Sequence, residues 1–425
     1  MRQGPTRRRV LSGLASMAVA GGCAVHSSPL RARPAQAAGG PIRVGILHSL
    51  SGTMAISEST LKDVLLMLID RQNRAGGLLG RRLEPVVVDP ASSWPRFAQL
   101  ATQLLEADGA DVLFGCYASP SRKIVLPVLE RLDGLLFYPA PYEGQEQSPH
   151  VVYLGATPNQ RAVPTVDYLL SADGGGVRRF YLVGTDDIHP RTVNTILAGY
   201  LRSRQVRRED FVIRYVPFGE ADWRQIVAEI RTFSRGGKTA VVNTLAGDAN
   251  LHFYRELVRQ EVSAGDIPVV ALSIGEQELA AVDVTPLVGH LTAASYFMSL
   301  ETPENDAFIR EWQEWIGDDL RVVSAAMEGC VIGFDLWVQA VQAARTASAP
   351  AVRAALPQCR TRSLTGHDIG LDGLSMHVRK PLMIGEIQAT GQMMPVWLSD
   401  GLIDPVPWSR WWRRGTRILS DGAYP

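Results

Sequence analysis

From residue 42 onward the chain alternates short apolar runs with amphipathic ones, and no other feature limits the possible folds as much. Strand–helix–strand order of this kind marks a parallel sheet with helices on both faces. Ile42 to Leu47 reads as a strand, and Leu61, Val64, Leu65, Leu68 and Ile69 then recur at helical spacing. Pro85 to Asp89 is the next strand, and a helix opens at Ser93-Trp94-Pro95, with Ser93 as candidate N-cap and Pro in the first turn. Strands at 111–115, 135–138 and 151–154, with a helix from Ser121, complete a first sheet. A second series follows, with helices at 161–171, 191–203, 221–233 and 249–260 and strands at 180–183, 211–216, 240–242 and 267–272. Beyond Ser273 come a strand from Leu291 to Phe297, helices at 304–316 and 324–347, and β-type alternation from Ile369 to Leu398. A length of 425 residues suffices for two doubly wound α/β units, each with its own core.

The first 40 residues stand outside this pattern. Thr6-Arg7-Arg8-Arg9-Val10-Leu11 resembles a twin-arginine export signal, and the apolar stretch from Leu11 to Ala20 reads as its hydrophobic region. That stretch is well short of the roughly 20 residues a membrane-spanning helix needs. Two processing sites compete. Ala20-Gly21-Gly22-Cys23 looks like a lipobox, favoured because Cys is scarce and this one directly follows the apolar region; it would leave Cys23 lipidated at a new N-terminus. Ala35-Gln36-Ala37 is a plain small-x-small cleavage site. Either one gives an exported, periplasmic protein.

Lysine plus arginine and aspartate plus glutamate number 43 each, so no broad basic field is present to attract nucleic acid. Cys116, Cys330 and Cys359 remain, an odd number that leaves at least one thiol unpaired in an oxidising compartment. They lack metal-site spacing and are expected as buried free cysteines. The chain has no P-loop, no dinucleotide fingerprint and no nucleophile elbow. His48 lies beside Ser49, but no acidic residue is placed by motif to orient it. The expectation is a protein with no catalytic residues, no cofactor and no metal.

The candidate site lies where two apolar strands end in small and aromatic residues. Asp111-Val112-Leu113-Phe114 runs into Gly115-Cys116-Tyr117-Ala118-Ser119, and Gly134-Leu135-Leu136-Phe137 runs into Tyr138-Pro139-Ala140-Pro141. Ligands of open α/β sheets sit outside the carboxyl ends of the strands. Tyr117, Ser119, Tyr138 and Pro141 therefore share one rim, which suits a small neutral polar molecule. The alternative for Tyr117 and Ser119 is a simple turn role, with the serine hydroxyls capping a helix. Asp187 and Asp248 each follow a strand of the second unit and are candidates either for N-capping or for accepting ligand N–H groups.

Longer phrases carry a resemblance. Gly45-Ile46-Leu47-His48-Ser49-Leu50-Ser51-Gly52-Thr53-Met54-Ala55, Tyr142-Glu143-Gly144-Gln145-Glu146, Pro190-Arg191-Thr192-Val193-Asn194-Thr195, Pro286-Leu287-Val288-Gly289-His290, Thr302-Pro303-Glu304-Asn305 and Lys380-Pro381-Leu382-Met383-Ile384-Gly385-Glu386-Ile387-Gln388 are spread along the chain. From about Ile42 to Trp408 it resembles the urea and short-chain-amide binding proteins of ABC transporters, within the class I periplasmic binding proteins. Gly115-Cys116-Tyr117 and Ala140-Pro141 are similar to the related amide-sensing regulator of amidase operons. The resemblance implies two α/β lobes with three hinge crossings. The first lobe would take residues 42–156 and 276–348, the second 157–275 and 349–395, and a tail the remainder. It implies ligand contacts from Tyr117, Ser119, Tyr138, Ala140 and Pro141 on one lobe and from Asp187 and Asp248 on the other. It further implies a membrane permease as partner, or, in the sensor variant, a regulatory protein outside the membrane. One departure stands out. Thr185-Asp186-Asp187-Ile188-His189-Pro190 replaces two family aromatics by Asp187 and His189, so the pocket loses an apolar wall and gains an acceptor. Helix 324–347 also carries Gly329-Cys330-Val331 where the urea proteins are bulkier.

Overall fold

A computed structural model describes residues 39–412. The first half gives β1 (Ile42–Leu47), α1 (Ala55–Arg74), β2 (Leu83–Val88), α2 (Trp94–Glu106), β3 (Val112–Gly115), α3 (Ser119–Leu132), β4 (Leu136–Tyr138) and β5 (Val151–Tyr153). These strands form one parallel sheet in the order β2-β1-β3-β4-β5. The chain continues through α4 (Ala162–Leu170), β6 (Arg179–Thr185), α5 (Ile188–Ser203), β7 (Phe211–Val216), α6 (Arg224–Ser234), β8 (Thr239–Thr244), α7 (Ala249–Arg259), β9 (Val269–Ala271), α8 (Glu276–Leu279) and β10 (Leu291–Ala294). Then come α9 (Pro303–Ile316), α10 (Ala325–Ala344), α11 (Ala349–Ala355), β11 (Arg360–Arg362), β12 (Asp368–Gly370), β13 (Met383–Ile387) and β14 (Met393–Leu398). The second sheet runs β14-β13-β10-β9-β8-β6-β7. It is parallel from β7 to β10, and β13 and β14 add to its edge antiparallel. Strands β11 and β12 form a separate antiparallel pair.

Both sheets share one logic. In the first, β1 lies between β2 and β3; in the second, β6 lies between β7 and β8. The order reverses at β1/β3 and again at β6/β8, and a crevice opens at such a reversal. Apolar side chains close each sheet on both faces. Phe114 stacks on Phe137 at 4.8 Å and meets the edge of Trp337 from α10 at 6.1 Å. On the second sheet Tyr181, Val241 and Val269 face Trp223 and Phe253, while Phe180, Leu182 and Val242 face Ile196 and Leu197. Cys116, Cys330 and Cys359 are buried and unpaired.

Three local expectations differ from the structure. Ser93 precedes α2, but its side chain makes no cap; its carbonyl accepts from Arg96 and Phe97 instead. Helix α5 begins at Ile188, not 191, because Pro190 falls within the first turn, where a missing N–H leaves nothing unsatisfied. Strand β10 was expected with the first group, yet it pairs with β9 and β13. The physical reason is that its backbone fills the ladder between them. Helices α9 and α10, which follow β10, do pack on the first sheet through Phe308, Trp312 and Trp337. The chain thus passes between the sheets after β5, after β10 and before β13. Two of these passages are tied together: Gln160 donates to the carbonyls of Val378 and Ile403, each at 2.9 Å.

Candidate functional site

The carboxyl ends of β3 and β4 present their rim through a tight turn. Cys116 adopts a φ of 63°, in the left-handed region that ordinary side chains disfavour, and its N–H bonds the carbonyl of Leu47 at 2.9 Å. This turn delivers Tyr117 and Ser119 to the start of α3. Tyr138 is fully buried and donates its hydroxyl to the Tyr117 carbonyl at 2.6 Å. That bond locks the two strand ends to each other. Helix α10 braces the same loop. A Cβ on Gly329 would come within 2.9 Å of the Pro139 carbonyl oxygen, so the small residue there lets the helix approach Pro139-Ala140-Pro141. Ala140 is buried and Pro141 half-buried.

A buried ion network lies beneath this rim. Arg122, with no solvent exposure, places Nε 2.7 Å from Glu146 Oε1 and Nη2 3.2 Å from Glu143 Oε1. Lys123 Nζ reaches Glu146 Oε2 at 2.9 Å, and Tyr153 donates to Glu146 Oε1 at 3.0 Å. The guanidinium also sits 4.8 Å above the Tyr138 ring and 4.5 Å from that of Tyr142. Two cations meet two carboxylates here, so the buried charge cancels. Burial pushes the Glu143 carboxyl up, but His189, Arg122 and Ser119 outweigh it and hold it well below the usual carboxylate range. Glu146 is likewise held low, by Arg122 and Lys123 against burial.

Ser119 was expected to cap a helix or face a ligand. Its hydroxyl donates to Glu143, and Ser121 donates to the Ala118 carbonyl at 2.7 Å, so neither acts as a cap. A buried carboxylate is the stronger acceptor and wins the hydroxyl. Helix α3 accordingly starts at Ser119 rather than at Ser121.

The second sheet contributes the ends of β6 and β8. Asp187 is half-buried at the N-cap position of α5, with no side-chain cap. Asp248 occupies the N-cap of α7, exposed and also without a cap bond. His189, in the first turn of α5, places Nδ1 3.6 Å from Glu143 Oε2, outside hydrogen-bond range. A second bridge joins the sheets: Ser57 of α1 donates to Glu278 Oε1 of α8 at 2.8 Å. Burial raises the carboxyls of both Glu278 and its neighbour Glu276, the latter to about 7. His48, considered for catalysis, is buried against Glu58, with Nδ1 3.3 Å from Oε2, while the Ser49 N–H donates to the same oxygen at 2.8 Å. This pair fixes the loop after β1.

Sequence reasoning named the rim but missed its charged support. Glu143 and Glu146 lay inside a phrase already singled out and Arg122 three residues beyond another, and their closeness to apolar residues was the available signal. Arg161, buried at 9% exposure, gave a similar one: a lone cation between the turn Thr157-Pro158 and the apolar face of α4.

The periplasmic binding protein domain family matches residues 42–414. Solved structures share the fold at low identity. A solute-binding protein of an ABC transporter from Rhodopseudomonas palustris BisB5, solved with 3,4-dihydroxybenzoic acid, superposes with a TM-score of 0.74 at 16% identity, covering 86% of this chain and 99% of that one. An amino acid ABC transporter substrate-binding protein from Pseudomonas fluorescens Pf-5 gives 0.74 at 16% identity, over 87% and 98%. The closed form of a leucine-, isoleucine-, valine-, threonine- and alanine-binding protein from Brucella ovis gives 0.74 at 15%, over 86% and 97%. The fold is the α/β class I type. With a family match spanning both sheets, the chain belongs to the periplasmic binding proteins, which bind small molecules and catalyse no reaction on them.

Proposed function

We propose that this protein is the extracytoplasmic substrate-binding component of an ABC importer. In this reading it captures urea, a short-chain amide or a related N–H-rich small molecule by closing two lobes around it. The observation that carries the reading is the hydrogen bond between the sheets, Ser57–Glu278 at 2.8 Å, together with the approach of His189 Nδ1 to within 3.6 Å of Glu143 Oε2. Both lie at the carboxyl ends of strands, beside Tyr117, Ser119 and Asp187. The three passages between the sheets act as the hinge, and closure brings the second lobe's Asp187, His189 and Asp248 toward the first lobe's rim. The acceptor at Asp187 favours a ligand with several N–H donors, since a carboxylate in a closed cleft is costly until a donor meets it. The partner is a membrane permease that recognises the closed lobes, in keeping with the ABC transporters from which the structural neighbours come. Export through Arg7-Arg8 and anchoring through Cys23 fall outside the described residues. Fractionation checks the anchor: Cys23→Ala releases the protein from membranes.

Calorimetric titration with urea, acetamide, propionamide and guanidine tests the ligand class. Saturable binding of the N–H-rich compounds, with Asp187→Tyr shifting preference toward the alkyl amides, supports the reading. Equal changes for both classes would remove Asp187 from the site. Ammonia release on prolonged incubation would make the protein a hydrolase.

A further inference from the structure

Among the described residues, three cationic side chains are buried: Arg122, Arg161 and Lys380. Arg122 lies between Glu143 and Glu146, and Lys380 pairs with Glu328. Arg161 differs from both. At 9% exposure it makes no side-chain hydrogen bond, ion pair or ring contact with any described residue. It stands on the passage from β5 to α4, one residue after Gln160, whose amide ties that passage to the returning chain. This position lies on one of the three passages between the two sheets.

Its electrostatic neighbours are those of the rim. Burial lowers Arg161 to about 10, and the hydroxyls of Tyr117 and Tyr138 act against that shift. Burial raises the Tyr117 hydroxyl, Glu278 adds to that and Arg161 opposes it. Glu278 comes from the opposite sheet and closes over Ser57. Arg161 on the β5–α4 passage and Glu278 on α8 thus both act on Tyr117, one as a cation and one as a carboxyl. A mostly buried guanidinium without a counterion is unfavourable, and a planar carboxylate with two oxygens is its best-matched partner.

We propose that the ligand carries a carboxylate, and that Arg161 receives it. The inference rests on the small-molecule reading above and narrows it to acids that also bear N–H donors, such as ureido, guanidino, amido or amino acids. The carboxylate end meets Arg161, and the N–H end faces Glu278. Neutral urea and simple amides fill only the second half of such a site.

Titration calorimetry with two matched pairs tests this. The probes are ureidoacetate against urea, and malonamate against malonamide. Charge-assisted hydrogen bonds correspond to about 1.5–3 kcal/mol, so each acid binds the wild type about 10- to 150-fold more tightly than its neutral counterpart. Arg161→Gln removes that advantage and changes affinity for the neutral compounds less than about threefold, while Arg161→Lys retains part of it, as a point charge without the fork does. Circular dichroism checks that both variants fold, and the wild-type comparison stands without them. Neutral compounds that bind as well as the acids, or an Arg161→Gln loss equal for both members of a pair, overturn this proposal and leave the importer reading intact. Silence from all four probes overturns the N–H-rich ligand reading and this proposal together.

Discussion

Replacing Arg122 by Met removes the fully buried cation that pairs with both carboxylates of the rim. In the native protein its guanidinium contacts Glu146 at 2.7 Å and Glu143 at 3.2 Å, with Arg122 fully buried and the two glutamates 8% and 1% exposed. Methionine fills much of the volume but supplies no charge. Lys123, about one-third exposed, is left to serve two carboxylates. Breaking a buried ion pair by removing one partner costs about 3–5 kcal/mol. The cation–π contacts to Tyr138 and Tyr142 are lost within the same figure. Guanidinium chloride unfolding followed by tryptophan fluorescence reads the change directly. The pH dependence gives the sign. In the wild type Glu143 and Glu146 are held below their unfolded values, so their stabilisation is present above about pH 4.5 and is lost as pH falls through the lower folded values. In Arg122→Met burial acts against a smaller counterweight and the folded values rise. The variant then gains stability relative to the wild type as pH drops from 7 toward 5. Adding Glu143→Gln and Glu146→Gln restores more than half of the loss. A cost below about 1 kcal/mol, or a triple variant no more stable than the single one, refutes the reasoning.

Three smaller perturbations extend the account. Tyr138→Phe leaves the Tyr117 carbonyl without its donor and lowers stability by about 0.5–1.5 kcal/mol, with ligand affinity falling alongside as the two strand ends loosen; chemical unfolding paired with calorimetry checks both. His290 accepts the Val269 N–H at 3.1 Å, and burial lowers it from 6.5 to about 4, so the unfolded chain takes the proton first and stability declines as pH falls across that window. His290→Gln keeps an acceptor and removes the titration, so the unfolding free energy of the wild type drops relative to the variant by about 1.4 kcal/mol per pH unit between roughly pH 6 and 4.5. Gly329→Val drives a side chain against the Pro139 carbonyl, costs about 1–3 kcal/mol, and weakens ligand binding by displacing the Pro139–Pro141 loop.

The periodicity of the chain was enough to read the two strand–helix series, because buried parallel strands are continuous apolar runs and their helices carry one apolar stripe. Gly115, Pro139 and Pro141 punctuate the strand ends, and so the rim was legible. The charges under it were not. A side chain such as Arg122 or Glu146 reads as a solvated face until a partner more than 20 residues away is known, and that pairing is set by the sheet, not by local pattern. Strand β10 was misplaced for a related reason: its four residues, Leu291–Ala294, fit either sheet by composition, and only the ladder from β9 to β13 decides between them. The serines and aspartates ahead of α2, α3, α5 and α7 looked like caps; Ser119 found a stronger partner in Glu143, and the side chains of Ser93, Asp187 and Asp248 make no cap bond.

A crystal structure of the protein with the tightest compound from the titrations tests the central claim most directly. The account predicts one ligand between the two sheets, touching Tyr117 from the first and a residue of the β6–α5 turn or of α8 from the second, with the Ser57–Glu278 bridge closed over it. A ligand bound elsewhere, or contacted by one sheet alone with the bridge open, would contradict capture by closure.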